Sequence, residues 1–576
     1  LIAACTAEQS SENPGTGGTG GATAASGTGG GNTGGSSGGS GPQAGAAGTT
    51  GGGAGGNQAG GSGPAGAGGS VAGTSGAGNP AGGAPPAGAG GQGTGGSQAG
   101  VGGDGTGGIP MGGSGGTEPV AGAAGSAGTP PVIDEPSLVT SANNAWWTVG
   151  EVTEVTSGTA YVTVNTGSEA QTFTGFGGTF NEKGWEALSA LNEADRATAM
   201  KLLFDKADGA NLFYGRIPIG ASDYATNRYT LNDNSGDTAM AQFSLDRDRM
   251  RLIPYIKAAL AVRPDIYFWG SPWTPPPWMK DNNAYDRGNM RDDDTILEAF
   301  ALYLSKFVEE YAAEGIQVKA IHPQNEPGYA QDYPSCNWSG NLMAKFIGQF
   351  LGPMFEERQV PAEIFIGTMS NPTADRDVLN TVMGNATAKA FIRGHGLQWG
   401  MIDVYGNLSL DRSLPIWQTE HKCGNYPWEG GNANMAPNDF AYGVESWGLI
   451  KNWISRGVTA YSAWNMVLDT VGRSLDTVRP WAQNAPLVVD VSAKRLIITP
   501  TYYVFRHFSQ YVDSGAKLVS TSGGDAMAFK NPDGSVVTVM YNSGGARQGA
   551  IVSVGDKLLQ FDMPGNGWAT VNWPAQ

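Results

Sequence analysis

The chain has 576 residues, 92 of them glycine, and a formal net charge of −17. That charge argues against nucleic acid as a partner, because phosphate binding needs clustered Lys and Arg. A neutral polymer such as a glycan is compatible with it.

The chain opens Leu1-Ile2-Ala3-Ala4-Cys5, a run that resembles a bacterial lipobox in which the Cys is cleaved to the N-terminus and lipidated. Residues 1–7 therefore read as the remnant of a signal peptide, with Cys5 as the lipidation site. The rival reading is an ordinary secretory cleavage site with an incidental Cys. Residues 8–131 are dominated by Gly, Ala, Ser and Thr. Such a segment has too little apolar side-chain area to offset the entropy of ordering its backbone, and reads as a disordered tether. No run of about 18 apolar residues follows, so membrane contact is expected only through a lipid at Cys5. The expected location is the cell surface or the extracellular medium.

The rest of the chain is ordinary globular sequence rich in Trp and Tyr. Residues 145–172, including Tyr161 to Val164, read as the N-terminal strands of a β sandwich. Eight strand-like runs then alternate with helical patterns: residues 173–178, 212–219, 266–271, 318–323, 363–367, 390–399, 414–420 and 458–465. The clearest helix has Ile296, Leu297, Phe300, Leu304, Phe307, Val308 and Tyr311 on one face, with Asp292, Asp293 and Asp294 at its start. Eight such units predict an α/β fold, a (β/α)8 barrel over residues 173–510. From residue 511 to 576 short alternating runs are separated by Gly and Asn-Pro-Asp-Gly turns, which predicts an antiparallel β sandwich attached to the barrel. The side domain would then be built from both ends of the globular part.

Two glutamates close strand-like runs. Glu326 ends His322-Pro323-Gln324-Asn325-Glu326, and Glu420 ends Trp417-Gln418-Thr419-Glu420. Carboxylates at the ends of different parallel strands can converge at one barrel mouth. Cleavage of a glycosidic bond needs such a pair, one to protonate the leaving oxygen and one to meet the anomeric carbon. Trp273, Trp278, Trp399, Trp417 and Trp464 lie at or near predicted strand ends, and indole faces suit the C–H faces of sugars. They form the predicted sugar platform, with His395 beside them.

Cys336 and Cys423 each follow one of the glutamates. An exported chain permits a disulfide between them, and a catalytic Cys423–His421 pair is the rival reading. His322, His395 and His421 share no close ligand spacing, so no metal is expected. No Gly-rich phosphate loop joins a strand to a helix, so no nucleotide cofactor is expected. A serine nucleophile elbow is also missing from the sequence.

Several motifs in order carry a resemblance: Phe176-Gly177-Gly178, Arg216-Ile217-Pro218-Ile219-Gly220, Ser271-Pro272-Trp273-Thr274-Pro275-Pro276-Pro277-Trp278-Met279-Lys280, Asn325-Glu326-Pro327 and Thr419-Glu420-His421. From about Trp147 to Trp573 the chain resembles glycoside hydrolase family 30, nearest its glucosylceramidase-like and endo-β-1,6-glucanase branch. The resemblance implies a barrel with a β sandwich and a retaining mechanism. It makes Glu326 the acid/base and Glu420 the nucleophile. Asn325 would then bind the substrate 2-hydroxyl, and Arg216 would hydrogen-bond Glu420 and keep it ionised. Glu326 would keep its proton because Glu420 is negative beside it. The implied substrate is a β-D-glucosidic linkage in β-1,6-glucan or a glucosylceramide-type conjugate, cleaved by a monomer. Alternatives are a β-1,6-galactanase or xylanase of the same family, although no segment resembles the glucuronate pocket of the xylan-specific branch. A further alternative is a surface glycan-binding protein without turnover. Tyr329 to Trp338 and Cys423 to Trp428 depart from the glucosylceramidase-like pattern at the cleft rim, where substrate is selected.

Overall fold

The computed structural model describes residues 133–426 and 438–575. Cys5, the tether and Trp428 lie outside the described residues.

Eight parallel strands close into a barrel in chain order: Gly175–Thr179, Tyr214–Ile219, Tyr267–Pro272, Val318–Ile321, Glu363–Met369, Ile392–Leu397, Ile416–His421 and Ala460–Asn465. Each falls within or overlaps one of the eight predicted runs. The strands read as nearly continuous apolar stretches because helices cover their outer face while side chains fill the inner one. The eighth strand closes on the first, with Ala460 opposite Gly175. Phe176-Gly177-Gly178 is tightly packed there. A Cβ on Gly177 would lie 2.2 Å from the Tyr214 carbonyl oxygen, and one on Gly178 2.2 Å from Met466. The predicted amphipathic helix spans Asp294–Ala313, and the Asp293 side chain caps it by accepting from the Ile296 N–H at 3.1 Å.

A second sheet of ten strands takes its members from both sides of the barrel sequence. Ser137–Ala142, Ala145–Gly150, Thr153–Val155 and Val162–Phe173 come from before it; six strands from Ala516–Gly523 to Gly567–Trp573 come from after it. The pairings are antiparallel except where Val162–Val164 meets Val552–Val554 in parallel. Val162, Val519, Met540, Val552, Leu559 and Val571 belong to this domain's own core.

Helix Pro500–Ser509 joins the two domains and is buried along its whole length. His507 bonds Thr570 at 2.8 Å with one ring nitrogen and Ser141 at 2.9 Å with the other, so one side chain ties together two strands of the second sheet. Trp146 stacks on Tyr503 at 4.9 Å, and Trp568 packs against Tyr541, Phe440 and Trp146 with no exposed surface. Trp568→Ala is therefore expected to cost about 3–5 kcal/mol of stability. Urea unfolding checks this; an unchanged midpoint would contradict the packing role.

A small sheet of Val467–Asp469, Leu487–Asp490 and Arg495–Ile498 lies outside the elements expected from the sequence. Runs this short carry too little pattern to separate a strand from a loop. The sheet matters because it anchors the loop after the eighth barrel strand, which carries Trp481 and Gln483 to the barrel mouth.

Candidate active site

The C-terminal ends of the barrel strands hold a cleft lined by Asp223, Trp273, Asn325, Glu326, Tyr329, Tyr333, Trp399, Glu420, Trp464, Trp481 and Gln483. This is the face where barrel enzymes carry their chemistry.

Arg216, on the second strand, forms the floor and is fully buried. Its Nη1 donates to Glu420 Oε2 at 2.6 Å, and its Nη2 to Asn325 Oδ1 at 2.6 Å. Ser271 Oγ accepts from Nε and Nη2 at 3.1 and 3.0 Å. The indole faces of Trp273, Trp269 and Trp464 lie 4.3, 5.1 and 5.3 Å from the guanidinium carbon. Such contacts favour the cation that burial disfavours. Asn325 Oδ1 also accepts from Thr368 Oγ1 at 2.7 Å, so its carbonyl is used within the protein and its amide N–H group is turned away.

Glu420 Oε1 accepts from the Trp399 indole at 3.0 Å. Its Oε2 accepts from Gln398 Nε2 at 3.1 Å besides Arg216. Glu326 Oε1 accepts from that same Gln398 Nε2 at 3.1 Å, and its Oε2 from the Tyr333 hydroxyl at 3.1 Å. Two bonds of 3.1 Å meeting at one nitrogen keep the two carboxylate oxygens within about 6.2 Å of each other. Glu326 and Trp399 both have left-handed backbone, at φ 50° and 45°. Such a conformation costs non-glycine residues on the order of 1–3 kcal/mol and persists where the surroundings enforce it. The Glu326 N–H is held by the Thr368 carbonyl at 2.9 Å.

The two carboxyls differ in charge environment. Burial, then the neighbouring Glu420 and Asp375, push Glu326 up to about 8, against the Gln398 and Tyr333 donors. The expected cause was Glu420 alone, but burial is the larger effect. Burial also raises Glu420, and Arg216, Trp399 and Gln398 oppose it. Glu420 is in contact with a cation and Glu326 is not, so a single proton on the pair resides on Glu326. Asp375 accepts from the backbone N–H groups of Gly328, Ser370 and Asn371, pinning the loop beneath Glu326.

Of the residues singled out in the sequence, Asn325, Trp273, Trp399 and Trp464 line the cleft, and Arg216 lies under it. Three others do not reach it. Trp417 sits three residues below Glu420 on the same strand, about 10 Å deeper, and packs with Tyr214, Trp269 and Phe365. His395 lies at the corresponding depth on the sixth strand, where its Nε2 accepts from the Asp411 N–H at 3.1 Å. Trp278 packs in the main core outside the cleft and donates to the Asn232 carbonyl at 3.1 Å. His322 is stacked among Trp269, Phe365 and Trp417 inside the barrel, so the three histidines do not converge.

The predicted Cys336–Cys423 disulfide is absent: both are free, buried thiols. They face different sides of the barrel. Cys336 lies near Lys280 and Met290, on the side of the loop after the third strand. Cys423 lies by Glu445 and Trp464, on the side of the eighth. The rival Cys–His reading also fails. Cys423 Sγ meets the His421 carbonyl, at 3.8 Å, and not the His421 ring, which bonds Tyr461 at 2.5 Å and Ser446 at 3.2 Å. Burial pushes the Cys423 thiol far above its ordinary value, which keeps it protonated and inert.

Asp223, Tyr333, Gln398, Trp481 and Gln483 were not singled out. Asp223 follows the Arg216–Gly220 run by three residues, so an acid in the loop after a strand was the available signal. One of its oxygens is buried without a hydrogen-bond partner, as is the Trp481 indole nitrogen. Burial and both glutamates raise Asp223 well above the carboxylate range.

A barrel whose mouth holds two buried, unequal carboxylates flanked by indoles is the architecture of a glycoside hydrolase. The chain belongs to glycosyl hydrolase family 30: the family's TIM-barrel domain profile matches residues 173–512 and its β-sandwich domain profile residues 509–571. It is an O-glycosyl hydrolase by that membership. A putative glucosylceramidase 1 of Caenorhabditis elegans is 26% identical over 412 residues, covering 67% of this chain and 77% of the relative. An endo-1,6-beta-D-glucanase of Neurospora crassa is 26% identical over 399 residues, covering 65% and 79%. The solved structure of the endo-beta1,6-glucanase BT3312 superposes with a TM-score of 0.67 at 22% identity, covering 77% of this chain and 99% of that one.

Proposed function

We propose that the protein is a retaining β-glycosidase of β-D-glucosidic linkages, in β-1,6-glucan or a glucosylceramide-type conjugate. The carrying observation is the Gln398 bridge. It draws one oxygen of each glutamate to a shared nitrogen, which favours the roughly 5–5.5 Å spacing of a retaining pair over the roughly 6.5–9.5 Å of an inverting one. In the first step a Glu420 oxygen bonds to the anomeric carbon as the bond to the leaving oxygen breaks. That oxygen takes the Glu326 proton. Water then attacks the glycosyl ester, giving its proton to Glu326, and Glu420 is released. Asn325 presents its amide to the 2-hydroxyl, and Trp273, Trp399 and Trp464 wall the sugar. The glucoside assignment is supported by relatives named as a putative glucosylceramidase and an endo-1,6-β-D-glucanase.

Proton NMR of the first product formed tests the mechanism: a β-anomer agrees and an α-anomer contradicts it. A product profile on β-1,6-glucan, β-1,6-galactan, xylan and glucosylceramide tests the sugar. Absence of turnover on all of these and on aryl β-glycosides would leave only the glycan-binding alternative.

Glu326→Ala should slow substrates with poor leaving groups far more than activated aryl glycosides, because only the former need protonation. Equal losses would count against the acid role. The acid form of Glu326 is required, so kcat/KM should fall as pH rises through about 8. A profile flat to pH 10 would contradict this.

The Leu1–Cys5 run and the following Gly-rich segment favour an exported protein held by a lipid on Cys5. Labelled palmitate should enter the wild type and not Cys5→Ala.

A further inference from the structure

We infer that Gln398 is a positioning residue for the glutamate pair: its one amide nitrogen sets their spacing and favours the ionised form of each. The inference rests on the reading of Glu326 and Glu420 given above and adds to it the group that couples them.

Gln398 follows the sixth barrel strand directly and is fully buried. Three bonds fix it. Its backbone N–H donates to the Met369 carbonyl at 2.8 Å. The Thr419 hydroxyl donates to its Oε1 at 2.8 Å, and Thr419 precedes Glu420 on the neighbouring strand. With the carbonyl end occupied by a donor, the NH2 end must face the carboxylates. Its two hydrogens serve Glu326 Oε1 and Glu420 Oε2, each at 3.1 Å. Gln398 does not line the cleft, whereas both glutamates do. It therefore acts through them and not on the sugar.

Other charged and titratable groups face this pair from every side. Arg216 approaches Glu420 from the second strand, and Asp223 from the loop after it. Tyr333 comes from the loop after the fourth strand, and Asp375 lies under Glu326 after the fifth. His322 lies in the barrel below, held neutral by burial. Arg216 contacts only Glu420 of the two, and Tyr333 donates to Glu326. Gln398 donates to both. Hydrogen bonds to a carboxylate lower its pKa, so losing this amide should move both glutamates the same way, upward.

The test is the pH profile of Gln398→Met, which keeps length and removes the donor. Both limbs should move to higher pH by about one unit, and kcat should fall about ten- to a hundredfold. KM should change little, because the side chain does not line the cleft. Should Gln398→Met fail to fold, Thr419→Val frees the carbonyl end of the amide and should shift both limbs in the same direction by less. Limbs that stay in place in the variant that folds overturn the inference. Glu326→Ala and Glu420→Gln are run alongside. If they keep the wild-type profile, the reading of the pair itself has failed; if they lose it while Gln398→Met does not, only the role of Gln398 falls.

Discussion

Glu420→Gln should lower turnover by about 10⁴-fold or more, because the amide cannot form the glycosyl ester on which both steps depend. The change keeps the size of the side chain and an oxygen that can still accept from Arg216. Circular dichroism should therefore show an intact fold. Glu326 loses its anionic neighbour in this variant, and its pKa should fall from about 8. In Glu420→Gly, azide can occupy the space beneath the sugar and attack the anomeric carbon from that side. An α-glycosyl azide should form and activity should return with azide concentration. Near-normal turnover in Glu420→Gln would remove the nucleophile assignment.

Arg216→Met should produce the largest combined effect on stability and activity. Arg216 and Glu420 pair at 2.6 Å with side chains 0% and 7% exposed. Breaking a buried pair by removing one partner costs about 3–5 kcal/mol, since the remaining charge is left uncompensated. The surviving Glu420 would lose the cation that opposes its burial, so its pKa would rise further. Glu420 must be ionised to attack, so the acidic limb of kcat/KM should move to higher pH. Thermal melts and pH profiles of one preparation check both parts. An unchanged melting temperature together with an unmoved acidic limb would contradict the role given to Arg216.

Much of this site was legible in the residues. Several barrel strands stand out because burial makes them largely apolar, as in Tyr267–Pro272 and Glu363–Met369, whereas exposed Lys319 and Arg393 interrupt Val318–Ile321 and Ile392–Leu397. Glu326 and Glu420 stand out because each lies at the C-terminal end of a strand or just beyond it. Arg216 was placed correctly against Glu420. Depth along a strand was not legible: Trp417 and His395 precede Glu420 and Gln398 by three residues each, so both lie about 10 Å below the mouth. Trp278 lies in a Pro-rich turn whose direction depends on packing with Asn232. Cys336 and Cys423 follow the two glutamates in sequence, but adjacent sequence positions did not fix which side of the barrel each loop folds against. Gln398, Tyr333 and Gln483 carry no residue-type signature of catalysis. Their part comes from what folding brings within 3.1 Å or into the cleft lining.

The proposed retaining mechanism requires that Glu420 carry a sugar covalently. It is tested most directly by intact-mass and peptide-mass analysis after incubation with an activated 2-deoxy-2-fluoro-β-glycoside of the sugar that the enzyme hydrolyses. The fluorine slows both steps, and the activated leaving group lets the first proceed. One fluorosugar per chain on the peptide containing Glu420 is the result predicted here. Release of product with the opposite anomeric configuration and no adduct, or an adduct on another residue, would contradict it.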